Sequence, residues 1–412
     1  MNVASPSKYP SIDAVEVQDA LVFMRCDFNV PLNADGTISD DRRIASAIPS
    51  IESVLNRGGR LVLASHLGRP KGEGFEPALT LQPIAEHLSA LLNQPVGFPS
   101  NSCIDATATD AIASLASGEV LLLENTRFHA EEKAGDDSFA QSLVRDATVY
   151  CNEAFGASHR SDASIVAAAN AVRPQPCVAG RLLLNEIHWL TEMVESPNRP
   201  FVAVLGGAKV SDKLGAIRNL AGKVDTLLIG GAMAFTLLKA IGHETGTSLV
   251  EDAMLDEAKV LIDEIDASGT TLELPLDFVC AERPDSSLPR TISDCDVPDG
   301  LMGLDIGPET SEVFGEILEE AGSVVWNGPM GLFEIEPFDA GTTEIARAIC
   351  TATERDAPTI IGGGDTAAAV LKLGLENAVS HVSTGGGASL AILEGTPMPG
   401  LTVLDRCSEN HV

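Results

Sequence analysis

Short apolar runs that stop abruptly in glycine, proline or charged residues recur along this chain, a pattern of buried parallel strands rather than of strands with one wet face. In the first half they begin at Leu21, ending in the polar loop before Pro31, and continue over 60–65, 120–124 and 147–152. In the second half they cover 202–205, 227–229, 324–326, 359–361 and 382–384, and most empty directly into glycines. Between them lie helical patterns, such as Ile44, Ala47, Ile48, Ile51 and Leu55. A longer apolar-patterned stretch, 182–193, is closed by Ser196 and Pro197. The alternation predicts an α/β protein, and glycine-rich strand ends converging on one sheet edge are what a doubly wound parallel sheet needs to hold a nucleotide.

The stretch TIIGGGDTAAAVL at 359–371 reads as strand, glycine corner and helix start. Glycines without Cβ let backbone approach an anion, and a helix N-terminus offers free N–H groups. Asp365 beside them could hold the Mg²⁺ that travels with a nucleotide, and a simple helix-capping Asp is the plain alternative. In Gly206-Gly207-Ala208-Lys209-Val210-Ser211-Asp212-Lys213 the lysines are four apart, so a helix starting here places both on one face. Cations in a first turn oppose the helix dipole, which makes sense if they face a polyphosphate; a solvated Asp–Lys pairing is the alternative. Neither G-x-G-x-x-G with a following acid nor G-x-x-x-x-G-K-[ST] is present.

The first half gathers cations at its strand ends. Asp27 and Asn29 follow the first run; Asp40-Asp41-Arg42-Arg43 opens a helical pattern; His66-Leu67-Gly68-Arg69-Pro70-Lys71 follows the second. Arg127 and His129 follow the third, His159 and Arg160 the fourth. One such loop reads as a solvated charge run, whereas four point to an anionic small substrate. An Asx-turn before Pro31 is the plain reading of Asp27 and Asn29 taken alone.

Composition narrows this further. The 412 residues are 44% hydrophobic, enough for two domains. Eight cysteines (26, 103, 151, 177, 280, 295, 350 and 407) contain no C-x-x-C pair and read as reduced, mostly buried thiols. No apolar run approaches a membrane span, and MNVASPSKYP has no hydrophobic signal region, so a cytoplasmic location is expected. A net charge of −32 argues against nucleic acid as a partner. With nine lysines against eighteen arginines, it suggests a surface adapted to a salt-rich cytoplasm. The charge is uneven, −8 over 1–185 and −24 over 186–412, which leaves room for local anion sites in the first half.

RCDFNVPL, SHLGRPKG, LLENTRFHAEE and NEAFGASHR, followed by PFVAVLGGAKVSDKLGAI, LIGGAMAFTLLKA, LDIGPET, VVWNGPMGLFE, IIGGGDTAAAV and HVSTGGGASLAILEG, resemble the phosphoglycerate kinase family over nearly the whole chain. The resemblance implies two Rossmann-like domains, 1–185 for the acid and 186–391 for the nucleotide. A hinge helix near 182–193 would join them, and 392–412 would return to the first domain. It implies that Asp27, Phe28, Asn29, Arg43, His66, Leu67, Gly68, Arg69, Arg127 and Arg160 bind 3-phosphoglycerate or 1,3-bisphosphoglycerate, with Arg43 also reaching the transferring group. His66 has a second reading as a neutral structural hydrogen-bond donor.

On the nucleotide side the resemblance implies that Lys213 holds ATP or ADP phosphates and Lys209 reaches the phosphoryl group. Gly206, Gly207 and Gly230 line the site, and Gly303, Asn327 and Glu334 meet base and ribose. Gly362, Gly363, Gly364, Asp365 and Thr366 form the phosphate loop, with Gly363 and Gly364 catalytic through their amides and Asp365 on Mg²⁺. Trp326 and Phe333 read as pocket wall or as core. The expected reaction is reversible Mg-dependent phosphoryl transfer from 1,3-bisphosphoglycerate to ADP, in line and with domain closure, by a monomer. Two departures stand out: Glu153 where the family usually has Asp, and Thr396 where Lys is frequent. A kinase for another acid and a non-catalytic nucleotide-binding protein are the rival classes.

Overall fold

A computed structural model describes residues 8–286 and 288–408, without the side chains of Glu192 and of residues 406–408. Most of the N-terminal stretch on which the location reading rests, and the thiol of Cys407, lie outside this description. Contacts divide the chain into one unit within Met1–His188 and Pro397–Val412 and a second, Trp189–Thr396.

The first unit is built on a six-stranded parallel sheet of β1 (Leu21–Cys26), β2 (Arg60–Ala64), β3 (Val96–Gly97), β4 (Val120–Leu122), β5 (Val149–Glu153) and β6 (Cys177–Ala179), in the order β3-β4-β2-β1-β5-β6. Every residue of β1 and β5 is buried, as expected of central strands covered on both faces. The chain leaves β1 toward β2 and returns on its other side as β5, so the strand order reverses beside β1. Open α/β sheets bind ligands at the carboxyl ends of strands at such a point. The helical pattern behind Arg43 divides into Arg42–Ala45 and Ile48–Leu55, with Pro49 in the first turn of the second piece.

The second unit repeats the plan with β7 (Phe201–Leu205), β8 (Thr226–Ile229), β9 (Thr271–Glu273), β13 (Ser323–Asn327), β14 (Thr359–Gly362) and β15 (His381–Val382), all parallel, in the order β15-β14-β13-β7-β8-β9. Here the order reverses between β7 and β13. A small antiparallel sheet, β10 (Phe278–Ala281), β11 (Arg290–Ile292) and β12 (Met302–Ile306), was not legible in the hydrophobic pattern. Its edge strand β11 is mostly exposed and β12 is only partly buried, so neither reads as an apolar run.

The stretch 182–193 is not one α-helix. Arg181–Ile187 is α-helical, His188–Glu192 forms a π-turn and Met193–Glu195 resumes the α-helix. Its apolar positions Leu183, Ile187, Leu190, Met193 and Val194 are all buried, so burial continues through the widened turn. Of the seven described cysteines five are buried.

Glu153, one methylene longer than the Asp usual in the resemblance, points at this helix. It accepts hydrogen bonds from Ser50 Oγ, from Leu182 N at 3.0 Å and from Leu183 N at 3.2 Å. Burial pushes its carboxyl up to about 7, against the pull of those donors. A folded-state pKa above the ordinary 4.5 means that the native state binds the extra proton. Stability therefore falls as pH rises from about 4.5 through 7, by up to about 3 kcal/mol. Measured against Glu153→Gln, the urea midpoint of the native chain is expected to drop between pH 5 and pH 8. A pH-independent difference would refute this.

Candidate functional site

In the first unit, the loop after β1 places Asp27 and Asn29 at the point where strand order reverses. Phe28 is fully buried and its N–H donates to Ser65 Oγ at 2.8 Å, which holds the loop down. Arg43 Nη1 donates to Asp27 Oδ2 and to Asn29 O, each at 3.1 Å. Asn29 Oδ1 accepts from Gly68 N at 2.8 Å. Gly68 has φ +63°, and a Cβ there would sit 2.7 Å from Leu79 Cδ2, so this backbone turn requires glycine. Arg127 Nη1 donates to Gly68 O at 3.1 Å and its Nη2 pairs with Asp162 at 3.4 Å. Leu67 is buried beneath the loop, while Arg69 is exposed and makes no ion pair among the described residues.

His66 is buried below these groups. Burial, then the positive charges of Arg25, Arg127, Arg160 and Arg43, hold its pKa well below the ordinary imidazole value. Four guanidinium groups are thus near enough to this ring to oppose its charging, and Arg25 Nη2 lies 3.2 Å from it. Burial and the neighbouring Arg160 likewise lower Arg127. His66 Nε2, Arg127 Nε and Arg160 Nη1 are buried with no hydrogen-bond partner among the described residues. Buried donors without acceptors, crowded among like charges, suit an anion. Sequence reasoning missed Arg25 and Asp162. A charged residue inside the apolar run LVFMRC is a signal that could have found Arg25.

In the second unit, β7 ends at Gly206 and Gly207. A Cβ on Gly206 would lie 2.1 Å from Pro329 O, and one on Gly230 would lie 2.5 Å from Met330 Sδ. These glycines are fixed by the packing of the 328–331 loop. Gly303 is equally constrained, 2.1 Å from the Phe235 ring. Above them opens a cavity of about 330 Å³ with largely apolar walls, including Phe235, Leu249, Met330 and Phe333. Glu334 and Asp365 also line it, and the size suits a nucleoside. Trp326 belongs to the core, fully buried with Nε1 donating to Gly328 O at 2.7 Å, whereas Phe333 is wall.

Lys209 and Lys213 do not share a helix face. The segment is a turn, Lys213 is the N-cap, and the helix Leu214–Leu220 starts after it. Burial of Val210 and the bonds from Ser211 N and Oγ to Glu251 at 3.0 and 2.6 Å hold the chain in that turn. Lys213 Nζ donates to Asn327 Oδ1, and burial lowers its pKa. Asn327 Nδ2 is buried without an acceptor among the described residues. Lys209 is exposed.

The glycine corner after β14 turns at Gly363, φ +88°, and the helix Gly364–Lys372 follows. Nothing lies within 4 Å of a Cβ at Gly364, so its face is open. Thr366 Oγ1 accepts from Gly328 N at 2.7 Å and ties this helix to the end of β13. Asp365 is exposed in the first turn. Among the described residues no group of three His, Cys, Asp or Glu could hold a metal by itself. A lone carboxylate fits an ion that takes its remaining ligands from substrate phosphates and water.

A family model described as phosphoglycerate kinase matches residues 12–396. The chain belongs to the phosphoglycerate kinase family. A phosphoglycerate kinase of Rhodopirellula baltica is 48% identical over 399 residues, covering 96% of this chain and 99% of the relative. One from Clostridium novyi is 46% identical over 396 residues, covering 96% and 98%. The solved phosphoglycerate kinase of Coxiella burnetii superposes with a TM-score of 0.86 at 35% identity, covering 97% of this chain and 99% of that one. As a phosphoglycerate kinase the chain is a phosphotransferase of glycolysis, exchanging a phosphoryl group between 1,3-bisphosphoglycerate and ADP to give 3-phosphoglycerate and ATP. Among the described residues no helix is long and apolar enough to cross a membrane.

Proposed function

We propose that the cationic surface of the first unit binds the three-carbon acid phosphate through Asp27, Asn29, Arg43, His66, Arg69, Arg127 and Arg160, with Phe28, Leu67 and Gly68 shaping the loops. The observation that carries this is the trio of buried donors without acceptors, His66 Nε2, Arg127 Nε and Arg160 Nη1. The cavity of the second unit takes the nucleoside against Gly303 and Glu334; Gly207 lines it, while Gly206 and Gly230 admit the close packing of the 328–331 loop beside it. Lys213 and the amides of 362–366 take the phosphates, and Lys209 reaches the phosphoryl group in flight; Asn327, expected at base and ribose, bonds Lys213 and does not line the cavity, so it is assigned to the phosphates instead. Asp365 would hold Mg²⁺, which when bound supplies charge neutralisation on the phosphates.

No general base is required. In the direction of ATP use the nucleophile is a carboxylate, ionised at neutral pH because its pKa is about 4. Catalysis is then positioning plus cation clamps: Arg43 from the acid side, Lys209, Lys213 and the Gly363 and Gly364 amides from the nucleotide side. In-line transfer needs acid and nucleotide to meet with water excluded, so the two units close during turnover. The π-turn at 188–192, where the unit boundary falls, is the hinge we assign.

The enzyme acts as a cytoplasmic monomer with a surface adapted to salt, as the −32 charge suggests. A coupled assay with 3-phosphoglycerate, ATP and Mg²⁺ across a KCl series tests the whole reading. Turnover is expected, with loss on chelation by EDTA and activity sustained or rising into molar KCl. Activity that peaks in dilute buffer would remove the salt adaptation. Equal turnover of unrelated acids would remove the substrate assignment.

A further inference from the structure

We infer that Arg25 is a positioning residue for the known reaction: its buried guanidinium holds His66 as the neutral Nε2–H tautomer, so that this N–H is presented to the bound acid. The inference rests on the reading that His66 meets the acid. Arg25 is fully buried in the middle of β1. Its Nη2 lies 3.2 Å from His66 Nδ1. A guanidinium can only donate, so Nδ1 accepts and the ring proton resides on Nε2. That Nε2 is the atom left without a partner, on a ring that is 1% exposed.

The guanidinium is itself held at each nitrogen. Nε donates to Ser164 Oγ at 2.6 Å and Nη1 donates to Cys26 O. Nη2 also lies 3.8 Å from Glu132 Oε1. Glu132, fully buried, accepts from Ser164 N at 2.9 Å, Ser164 Oγ at 2.6 Å and Thr126 Oγ1 at 3.1 Å. A relay therefore runs from Glu132 through Ser164 and Arg25 to the histidine. Among the described residues no other hydrogen bond competes for Nδ1, and Asp27 Oδ1 stands 4.0 Å away. The charged groups facing the ring are thus Asp27 and the guanidinium groups of Arg25, Arg43, Arg127 and Arg160. A fixed cation against Nδ1 opposes a second ring proton. His66 then donates one hydrogen bond to an anion without changing charge, and acid affinity stays level across neutral pH.

Long-range ¹H–¹⁵N spectra of the full chain, with His66 assigned by comparison with His66→Gln, are expected to show the Nε2–H tautomer, uncharged down to pH 5.5. An Nδ1–H tautomer or an imidazolium at pH 7 would overturn the Arg25 assignment. Arg25→Met is expected to mix the tautomers and raise KM for 3-phosphoglycerate about tenfold, with kcat changed less than about threefold. Its KM relative to the native enzyme should fall from pH 8 to pH 6, as His66 gains a proton facing the acid. Arg25→Gln, whose amide can still donate to Nδ1, should recover most of the loss. A pH-independent loss shared by both variants would reduce Arg25 to a packing role. If Arg25→Met does not fold, the native spectra still decide. Adding 3-phosphoglycerate should shift His66 Nε2. No shift, with the tautomer as expected, would overturn the acid-binding reading of His66 and with it the positioning role, a failure separate from that of the Arg25 contact.

Discussion

Arg43→Ala is expected to lower kcat by about 10² to 10³-fold while leaving KM for ATP within a few-fold, because a clamp on developing charge acts mainly in the transition state. The geometry supports this division. Arg43 is half-buried, and one of its terminal nitrogens is engaged, by Asp27 and Asn29, so the side chain is aimed while the rest of its fork makes no hydrogen bond among the described residues. It also stands in a helix of four residues, Arg42–Ala45, too short for its dipole to be the reason for its placement. Steady-state kinetics in both directions check the result. Full activity in the variant would overturn the clamp, and a rise in KM for the acid at unchanged kcat would make Arg43 a simple binding group.

Lys213→Ala is expected to raise KM for ATP by up to about a hundredfold, with KM for 3-phosphoglycerate little changed. Lys213 is the N-cap of Leu214–Leu220, is partly buried, and is aimed by Asn327 Oδ1. Burial lowers its pKa, and a polyphosphate beside it would return the charge's favourable partner. The variant also removes the hydrogen bond to Asn327 Oδ1, on a side chain whose Nδ2 lacks an acceptor among the described residues. Direct ADP titration by calorimetry separates binding from chemistry. Unchanged ADP affinity with a collapsed kcat would remove Lys213 as a phosphate holder and leave it only the role of transition-state clamp.

Much of the fold was legible because buried parallel strands are written as short apolar runs, and the runs beginning at Leu21 and at 60, 120, 202 and 324 all coincide with strands. The glycine corner at 362–364 was legible for the same local reason: the positive φ at Gly363 admits few other residues. Helix starts were less so. The i, i+4 spacing of Lys209 and Lys213 suggested a shared face, but the buried Val210 and the Ser211–Glu251 bonds draw that segment into a turn. The antiparallel sheet escaped because two of its three strands, β11 and β12, are exposed or only partly buried and carry no continuous apolar run.

The sequence by itself determined the α/β class, the family, the cationic strand ends and the glycine corners, since each depends on residues within a few positions of one another. Only the tertiary structure decided which buried polar groups meet. Arg25 finds His66 and Ser164 at separations of 41 and 139 residues, and Glu153 finds Ser50 at 103. Such pairs are set by which strands lie side by side and by the need to satisfy every polar group taken out of water, and periodicity along the chain carries no record of either.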